Sequence, residues 1–454
     1  MTRNFGSSDD RPIPRSRLVC AVLMAGVLVA TGTVLGACAG GASPAPSTAA
    51  PATVAPTAAP TEAPTTAPTA AACTYQIPAS EKVVLGNYPV FDLGAWVAAE
   101  HWGYLKDLGL TLEHKVFPDE RTGLAALAGG SSQIQLMGDL SLVGIAPTFP
   151  DFRNVFTPEI FMGFAPLIRP DGTLKTYEQM KKEISDPAQA KQATCAQIKG
   201  KKWLIQLGGS HETIVDAVLE CAGQGMTRKD LTLVDIGPAE GATAFLRGEG
   251  DIYLGDVPNR FRLEEEGMLP LITAVDLGPK AEDFIAIVAN LPWIQKQENE
   301  DTLMRLMAAW YRAVDTLRAR GDTAADGWKT IAEWVNKGAG TSFDAKAAEY
   351  VLTEISPPVA LDDIMQTFYT SGQPLDMAAR WAFGVKVREE QGTIKAGQVD
   401  PTKLSISQPL FEKYLNYKTQ AEAGIAKGGP CADLAKTYLA QRDYLDAARA
   451  VAGQ

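Results

Sequence analysis

From Lys82 onward the chain alternates short apolar runs with amphipathic stretches, and this rhythm constrains the fold more than any other feature of the sequence. Such alternation is typical of an α/β fold in which helices cover a largely parallel sheet. The pattern occurs twice, first from Lys82 to a helix that Leu140 opens, and again over residues 201–254. We therefore expect two α/β lobes.

Each set predicts three strands separated by helices. The first set predicts strands 83–85, 110–117 and 133–137, with helices over 92–100 and 121–128 and from Leu140 onward. The second set predicts strands 201–206, 231–236 and 252–254, with helices 210–222 and 239–247. Residues 161–169 are expected to cross between the lobes, and residues 284–289 to return.

After Asn290 the pattern becomes helical, which predicts a helical C-terminal region. Asp301 is a candidate N-cap for its first helix, and further helices are expected near residues 326–337, 344–354 and 374–391. Four tryptophans fall in this region, and we expect them to pack in the core and between helices: Trp310, Trp328, Trp334 and Trp381.

Ahead of these lobes, an uncharged run from Leu18 to Leu35 follows Arg11, Arg15 and Arg17. This charge asymmetry is typical of a signal peptide, although a retained transmembrane helix is the alternative. The sequence Leu35-Gly36-Ala37-Cys38 resembles the bacterial lipobox, in which the cysteine is acylated and becomes the mature N-terminus. We therefore expect residues 1–37 to be removed and Cys38 to carry the lipid anchor.

Residues 39–72 contain one charged residue, Glu62, and repeat an Ala-Pro-Thr unit, a composition that cannot build a core. We expect residues 38–78 to form a lipidated, disordered tether. Without residues 1–37 the net charge is −13, which disfavours nucleic acid as a partner. Three histidines and no C-x-x-C motif indicate neither a metal site nor a cofactor.

Four cysteines remain once Cys20 is removed and Cys38 is acylated, and four cysteines permit three pairings. An oxidising exterior favours disulfides over metal ligation. A helix returning antiparallel to the 201–206 strand would bring Cys221 near Cys195, so we expect that pair. The remaining pair, Cys73 with Cys431, would tie the ends of the folded unit together.

Several motifs resemble substrate-binding proteins of the nitrate/sulfonate/taurine ABC importers. The matching segments are Ala98 to Leu110, then Ala126-Leu127, Gly130 and Gly138-Asp139, and in the second set Lys199 to Lys202, Gly209-Ser210 and Pro238 to Asp251. The resemblance covers about residues 80–290, and residues 381–394 echo a late family segment.

This resemblance implies a type II periplasmic-binding-protein-like fold, with lobe 1 over residues 79–167, lobe 2 over 168–285, and a return to lobe 1 with C-terminal helices over 286–454. It implies a monomeric binding protein that captures a sulfonate, taurine, nitrate or related solute. Its other partners would be an ABC permease with its ATPase, and the membrane through the lipid anchor. The protein would lie on the extracytoplasmic face of the cell membrane.

Ligands of open α/β sheets lie beyond the carboxyl ends of the strands, so the residues after each strand are candidates for the cleft. They are Asn87, Tyr88, Asp92, Asp119, Gly138 and Asp139 in the first lobe, and Gly209, Ser210, His211 and Asp256 in the second. Asp139 and Asp256 would bind a cationic group, and the helix N-terminus after Gly209 an acidic one, as a zwitterion such as taurine requires.

Simpler roles stay open for some of these side chains. Ser210 is equally an ordinary N-cap, Asp139 could only cap the next helix, and His211 could be a solvated first-turn residue. Two other functions also stay open: a ligand-sensing lipoprotein for a receptor kinase, and an enzyme resembling the thiamine-pyrimidine synthases. That enzyme family carries a cysteine-rich motif that is absent from this sequence, and no other catalytic motif stands out, so we expect no catalytic residues.

Overall fold

The computed structural model describes residues 72–79, 82–223 and 225–452. The expected signal peptide, the acylated Cys38 and the tether through residue 71 lie outside the described residues. The described residues belong to the compact unit Pro68–Gln454. Within them, no helix has both the length and the apolar character needed to cross a bilayer.

The described residues contain ten strands, arranged in two sheets of five. In chain order they are β1 Lys82–Asn87, β2 Thr111–Val116, β3 Ile134–Gly138, β4 Phe152–Phe161, β5 Leu167–Ile168, β6 Lys202–Ile205, β7 Thr232–Asp235, β8 Ile252–Leu254, β9 Leu269–Pro270 and β10 Asp283–Asn290. The first sheet has the strand order β2-β1-β3-β10-β4 and the second β7-β6-β8-β5-β9.

Both sheets are mixed, with a parallel half and an antiparallel half. In the first, β1 pairs in parallel with β2 and β3, whereas β10 is antiparallel to β3 and β4. In the second, β6 pairs in parallel with β7 and β8, whereas β5 is antiparallel to β8 and β9. We call each sheet, with the helices packed on it, the first or the second lobe.

Nineteen α-helices occur among the described residues. They are α1 Gly94–His101, α2 Tyr104–Asp107, α3 Glu120–Ala128, α4 Asp139–Ile145, α5 Tyr177–Glu183, α6 Pro187–Ala196, α7 Glu212–Ala222, α8 Pro238–Leu246, α9 Val257–Glu265, α10 Ala274–Leu277, α11 Leu291–Ile294, α12 Gln297–Arg318, α13 Asp322–Ala339, α14 Ala345–Tyr350, α15 Ile364–Phe368, α16 Met377–Glu390, α17 Ser407–Lys427, α18 Ala432–Ala440 and α19 Tyr444–Ala452. A π-helical turn, Val351–Ile355, directly follows α14.

The α/β class and the order of elements expected from the sequence are confirmed, but the expected largely parallel sheets are mixed. β4, a ten-residue strand that is buried along almost its whole length, was not expected from the sequence. Asp301 is not an N-cap, because α12 already begins at Gln297. Its carboxylate instead accepts hydrogen bonds from Gln297 and Arg449.

The C-terminal helices extend the core of the first lobe. Trp310 on α12 is fully buried and meets Trp96 of α1 edge to face, with ring centroids 5.3 Å apart. Trp381 and Trp328 are also buried, whereas Trp334 is half-buried against the same core. Such aromatic burial is a large source of stability.

Two disulfides close long segments of the chain. Cys195 at the end of α6 is bonded to Cys221 in α7, and Cys73 is bonded to Cys431 just ahead of α18. These are the pairs expected from the sequence. The second bond fixes residues 72–79 beside α17, α18 and α19, where Tyr75 packs edge to face on Tyr438.

Candidate functional site

A cavity lies between the two lobes, where the carboxyl ends of the parallel strands of both sheets meet. Its lining residues come from the segments that follow these strands and from the crossovers between the lobes. They are Tyr88, Val90, Asp92, Pro118, Asp119, Glu120, Leu136, Met137, Gly138, Phe161, Phe164, Gln206, Ser210, His211, Pro238, Asp256, Val257, Asp283 and Ile285. The cavity volume is about 70 Å³. Clefts at this position are the usual binding sites of open α/β folds.

Asp119 and Asp256 begin helices on opposite sides of the cavity. Asp119 is the N-cap of α3, and its Oδ1 accepts from the backbone N–H of Thr122 at 2.8 Å. Asp256 is the N-cap of α9, and its Oδ1 accepts from the backbone N–H of Asn259 at 3.0 Å. In each case the hydrogen bond satisfies a backbone N–H in the first turn of the helix, which has no partner within the helix itself.

Asp92 and Asp283 are buried carboxyl groups of the first lobe. Asp92 Oδ1 accepts from the Ser356 hydroxyl at 3.2 Å, and Asp283 Oδ1 accepts from the backbone N–H of Asp139 at 3.3 Å. Burial raises the pKa of Asp92 to about 6, and the nearby charge of Asp256 adds to the shift. Burial and the neighbouring Asp139 raise the pKa of Asp283 well above its usual range.

Glu120, the first residue of α3, reaches across to the second lobe. Its carboxylate accepts from the backbone N–H of Gly138 at 2.8 Å and from the Ser141 hydroxyl at 2.9 Å. Burial raises the pKa of Glu120, although these hydrogen bonds and the nearby Ser210 backbone oppose the shift. Glu120 therefore lies against the loop of the second lobe that contains Gly209 and Ser210, where a Cβ on Gly209 would be only 2.7 Å from its Oε2.

His211 and Gln206 supply polar groups that have no partner in the structure. Both nitrogens of the His211 ring and Nε2 of Gln206 are buried without a hydrogen bond. Burial lowers the pKa of His211 to about 4, so its ring is neutral near pH 7 and offers one donor and one acceptor. An unsatisfied buried polar group costs about 1–3 kcal/mol, which a ligand entering the cavity could recover.

Aromatic side chains form one wall of the cavity. Phe161 and Phe164 meet edge to face with ring centroids 4.7 Å apart, and the His211 ring lies 5.2 Å from Phe164. Tyr88 lines the cavity as well, with its hydroxyl donating to the Leu136 carbonyl. Phe161 and Phe164 belong to the segment that crosses between the lobes, so they lie where the two lobes join.

Two arginine side chains, Arg121 and Arg388, link the two lobes near the cavity. Arg121 Nη1 donates to Asp235 Oδ2 at 2.9 Å. Arg388, on α16, is buried and donates to the Glu212 carboxylate, and the charges of Arg388 and Arg228 lower the pKa of Glu212 although burial alone would raise it. Through Nη2, Arg388 also contacts the carbonyls of Leu140 and Gly209 at 3.3 and 3.4 Å.

Most of the residues expected at the cleft line the cavity, and three do not. The seven that do are Tyr88, Asp92, Asp119, Gly138, Ser210, His211 and Asp256. Asn87 is fully buried and its Nδ2 lies 3.0 Å from His114 Nδ1. Asp139 pairs with Arg380, and its Oδ1 accepts from the backbone N–H of Leu140 at 2.8 Å. Gly209 presents its carbonyl to Arg388 instead.

Local structure also decides two of the open alternatives. Ser210 does not cap a helix, because α7 begins at Glu212 with His211 as its N-cap, and no side chain makes a capping hydrogen bond there. Nor is His211 a solvated first-turn residue, since its side chain is buried in the cavity wall.

Five further residues line the cavity that were not among the sequence candidates: Glu120, Asp283, Gln206, Phe161 and Phe164. Glu120 lies three residues after the predicted strand 110–117, and Gln206 is the last residue of the predicted strand 201–206, so the search at strand ends could have included both. Asp283 lies at the start of β10, and only the antiparallel pairing of that strand with β3 brings it to the carboxyl edge of the sheet. No sequence pattern signals that reversal.

Comparisons with known proteins identify the fold. No family model matches the chain, and no curated protein sequence matches it. Among solved structures, the periplasmic aliphatic sulphonate binding protein SsuA from Escherichia coli is 18% identical, with 73% of this chain and 99% of that chain covered and a TM-score of 0.52.

Two further solved structures are similar to this chain. The alkanesulfonate-binding protein SsuA from Xanthomonas axonopodis pv. citri, bound to MOPS, is 16% identical, with 73% of this chain and 99% of that chain covered and a TM-score of 0.51. The periplasmic nitrate-binding protein NrtA from Synechocystis PCC 6803 is 12% identical, with 74% and 89% covered and a TM-score of 0.50. The chain therefore has the fold of periplasmic binding proteins.

Proposed function

We propose that this chain is the solute-binding lipoprotein of an ABC importer, which captures a small molecule between its lobes and delivers it to a permease. The observation that carries the proposal is the cavity at the carboxyl ends of both sheets, with His211 and Gln206 unpartnered in its wall. A fold shared with sulfonate- and nitrate-binding proteins supports the transport role.

In this proposal lobe 1 spans residues 79–167, lobe 2 spans residues 168–285, and residues 286–454 return to lobe 1, although β10 joins the sheet of the first lobe from Asp283 onward. Solute binding favours a closed arrangement of the lobes through its higher affinity for that form. The links from Glu120 to Ser210 and from Arg121 to Asp235 are contacts that closure forms and opening breaks. The permease would then recognise the closed form.

The lipid anchor belongs to the proposal as well. Acylation at Cys38 after removal of residues 1–37 would hold the protein at the extracytoplasmic face of the membrane, and residues 38–78 would form the tether. Cys38→Ala should leave solute affinity unchanged while releasing the protein from the membrane and lowering uptake. Unchanged uptake by fully released protein would contradict the role of the anchor.

Native mass spectrometry of the purified full-length chain tests the binding function. We expect one small molecule per chain, released unaltered when the protein is unfolded. A chain that carries no solute and shows no thermal shift with any candidate would contradict the proposal. A solute released in chemically altered form would favour the enzyme alternative, whereas a sensor-kinase gene beside this one, without permease and ATPase genes, would favour sensing.

A further inference from the structure

The cavity between the lobes is lined by acidic side chains. Five carboxyl groups border it, from Asp92, Asp119, Glu120, Asp256 and Asp283, and no lysine or arginine is among the described residues that line it. An anion would therefore find no positively charged side chain in the lining. Each carboxyl group that is ionised would repel the anion, and such repulsion is strong in a buried site.

Two arginines near the cavity are already engaged with other groups. Arg380 pairs with the buried Asp139, and Arg388 pairs with the buried Glu212. Arg262 is close enough to lower the pKa of Asp256, and its Nε and Nη2 are buried without a hydrogen-bond partner, but it is not among the residues that line the cavity. An anionic solute in the cavity would therefore meet no arginine side chain among the lining residues.

The second lobe offers backbone N–H groups ahead of α7, where an anionic ligand would ordinarily bind. This position is taken by the protein itself, because the Glu120 carboxylate lies against it: a Cβ on Gly209 would be only 2.7 Å from Glu120 Oε2, and the Ser210 backbone is close enough to lower the pKa of Glu120. A sulfonate or nitrate would have to displace that carboxylate while remaining beside Asp283, which faces Gly138. The geometry therefore disfavours an anion at the one feature of the cavity that could attract it.

His211 provides an independent sign that the cavity binds a ligand. Its side chain is 7% exposed and lines the cavity, yet neither ring nitrogen has a partner. Gln206, 2% exposed, lines the same cavity with an unpartnered amide nitrogen. A neutral imidazole presents an acceptor nitrogen, which an N–H donor of a ligand would satisfy.

Aromatic residues in the cavity lining favour an organic ion over a metal ion. Phe161, Phe164 and Tyr88 line the cavity, and aromatic rings attract organic cations as well as apolar groups. No group of three or more His, Cys, Asp or Glu side chains among the described residues is placed to hold a metal ion. The volume of about 70 Å³ leaves room for on the order of five non-hydrogen atoms, at ~10–15 Å³ for each water-sized site.

We infer that the solute is a small organic cation with N–H donors, held between Asp92 of the first lobe and Asp256 of the second. This inference rests on the proposed function. It specifies a cation as the ligand, in contrast to the sulfonates and nitrate for which the similar solved structures are named. In this arrangement the N–H groups donate to the carboxylates and to His211, and the carbon skeleton packs on the phenylalanine rings.

Guanidinium and nitrate provide a matched pair of probes, because both are planar, trigonal ions of similar size and opposite charge. We expect millimolar guanidinium and methylammonium to raise the melting temperature of the full-length chain and to bind in calorimetry. Nitrate and methanesulfonate should do neither. Binding of an anion without binding of either cation would overturn the inference but would still support the solute-binding function. If none of the probes binds, the inference is overturned for ions of this size.

Asp92→Asn and Asp256→Asn should each lower the cation affinity at least tenfold, whereas the exposed Asp362→Asn should not change it. Because a variant could fail for structural reasons, the wild-type chain provides a second readout. Asp92 faces Glu159 of β4, Ser356 and Asp256, and its pKa of about 6 leaves it partly protonated in the empty protein at mildly acidic pH. A cation should displace that proton and an anion should take one up.

Calorimetry at pH 6 in two buffers of different ionisation enthalpy measures the sign of this proton exchange. Proton release on binding, with affinity increasing from pH 5 to pH 7, supports the inference. Proton uptake, or an affinity that falls over the same range, contradicts it even if all variants fold.

Discussion

Asp92 and Asp256 line one cavity from opposite lobes, and each is held there by hydrogen bonds to its own lobe. Burial raises the pKa of both carboxyl groups, and the charge of Asp256 raises that of Asp92 further. Two acids that repel each other across an empty cavity make the folded protein less stable than it could be. Such arrangements are typical of binding sites, where a ligand supplies the opposite charge.

Asp92→Asn should stabilise the empty protein at neutral pH. The folded pKa of about 6 exceeds the usual value of 3.8, so the contribution of Asp92 to stability is greatest below about pH 4 and is lost as the pH rises through about 6. Above pH 6 the carboxylate costs on the order of 3 kcal/mol, which asparagine would not. Urea unfolding of the solute-free chain at pH 4 and pH 8 measures this difference.

The Asn variant can still accept the hydrogen bond from Ser356, so packing should change little. The exposed Asp362→Asn serves as the control and should show no such gain. If Asp92→Asn and the wild type have equal free energies of unfolding at pH 8, burial of the ionised Asp92 side chain does not destabilise the folded protein.

Arg388→Met should destabilise the chain by about 3–5 kcal/mol, because it leaves Glu212 buried without one of its two arginine partners. Lys386→Met lies on the same helix but removes only an exposed pair with Glu390, so its effect should be below about 1 kcal/mol. Chemical denaturation of both variants gives the comparison. Similar losses in the two variants would refute a special role for the buried pair.

Gly138→Ala should weaken solute binding at least tenfold by preventing full closure. A Cβ at this position would lie 2.5 Å from Asp283 Oδ2 and 2.5 Å from the Ser210 Cβ of the other lobe, so one of them must move. Gly144→Ala, on the following helix, meets nothing closer than 3.8 Å and is the matched control. Calorimetry with the solute identified by mass spectrometry measures the affinity of both variants. Equal affinities would mean that closure does not require the close approach of the lobes at Gly138.

Removal of the Cys73–Cys431 bond by the double substitution to serine should lower the free energy of unfolding by about 5 kcal/mol, because the bond closes 358 residues. Residues 72–79 should then exchange amide hydrogens faster, since this bond fixes them against the C-terminal helices. Solute affinity should stay unchanged, because neither cysteine is near the cavity. Hydrogen exchange and calorimetry test the two expectations separately.

The sequence predicted the α/β class and the order of strands and helices along the chain within each repeat, because hydrophobic periodicity is a local signal. It did not predict the elements that depend on reversed strands. β4 and Asp283 of β10 reach the site through antiparallel pairing, which periodicity does not distinguish from parallel pairing. Asn87 ends β1 and Asp139 directly follows β3, near the strand ends where they were expected, but buried partners, His114 and Arg380, hold their side chains.

Closure of the lobes around a solute is the central claim, and a distance between them tests it most directly. Spin labels at Thr111→Cys on the first lobe and Glu249→Cys on the second, both exposed positions, report that distance by pulsed electron paramagnetic resonance. We expect a shorter and narrower distance distribution when the solute identified by mass spectrometry is added, and no change with Asp256→Asn. If the labelled protein without the Asp256→Asn substitution gives the same distance distribution with and without saturating solute, the lobes do not close and the account is contradicted.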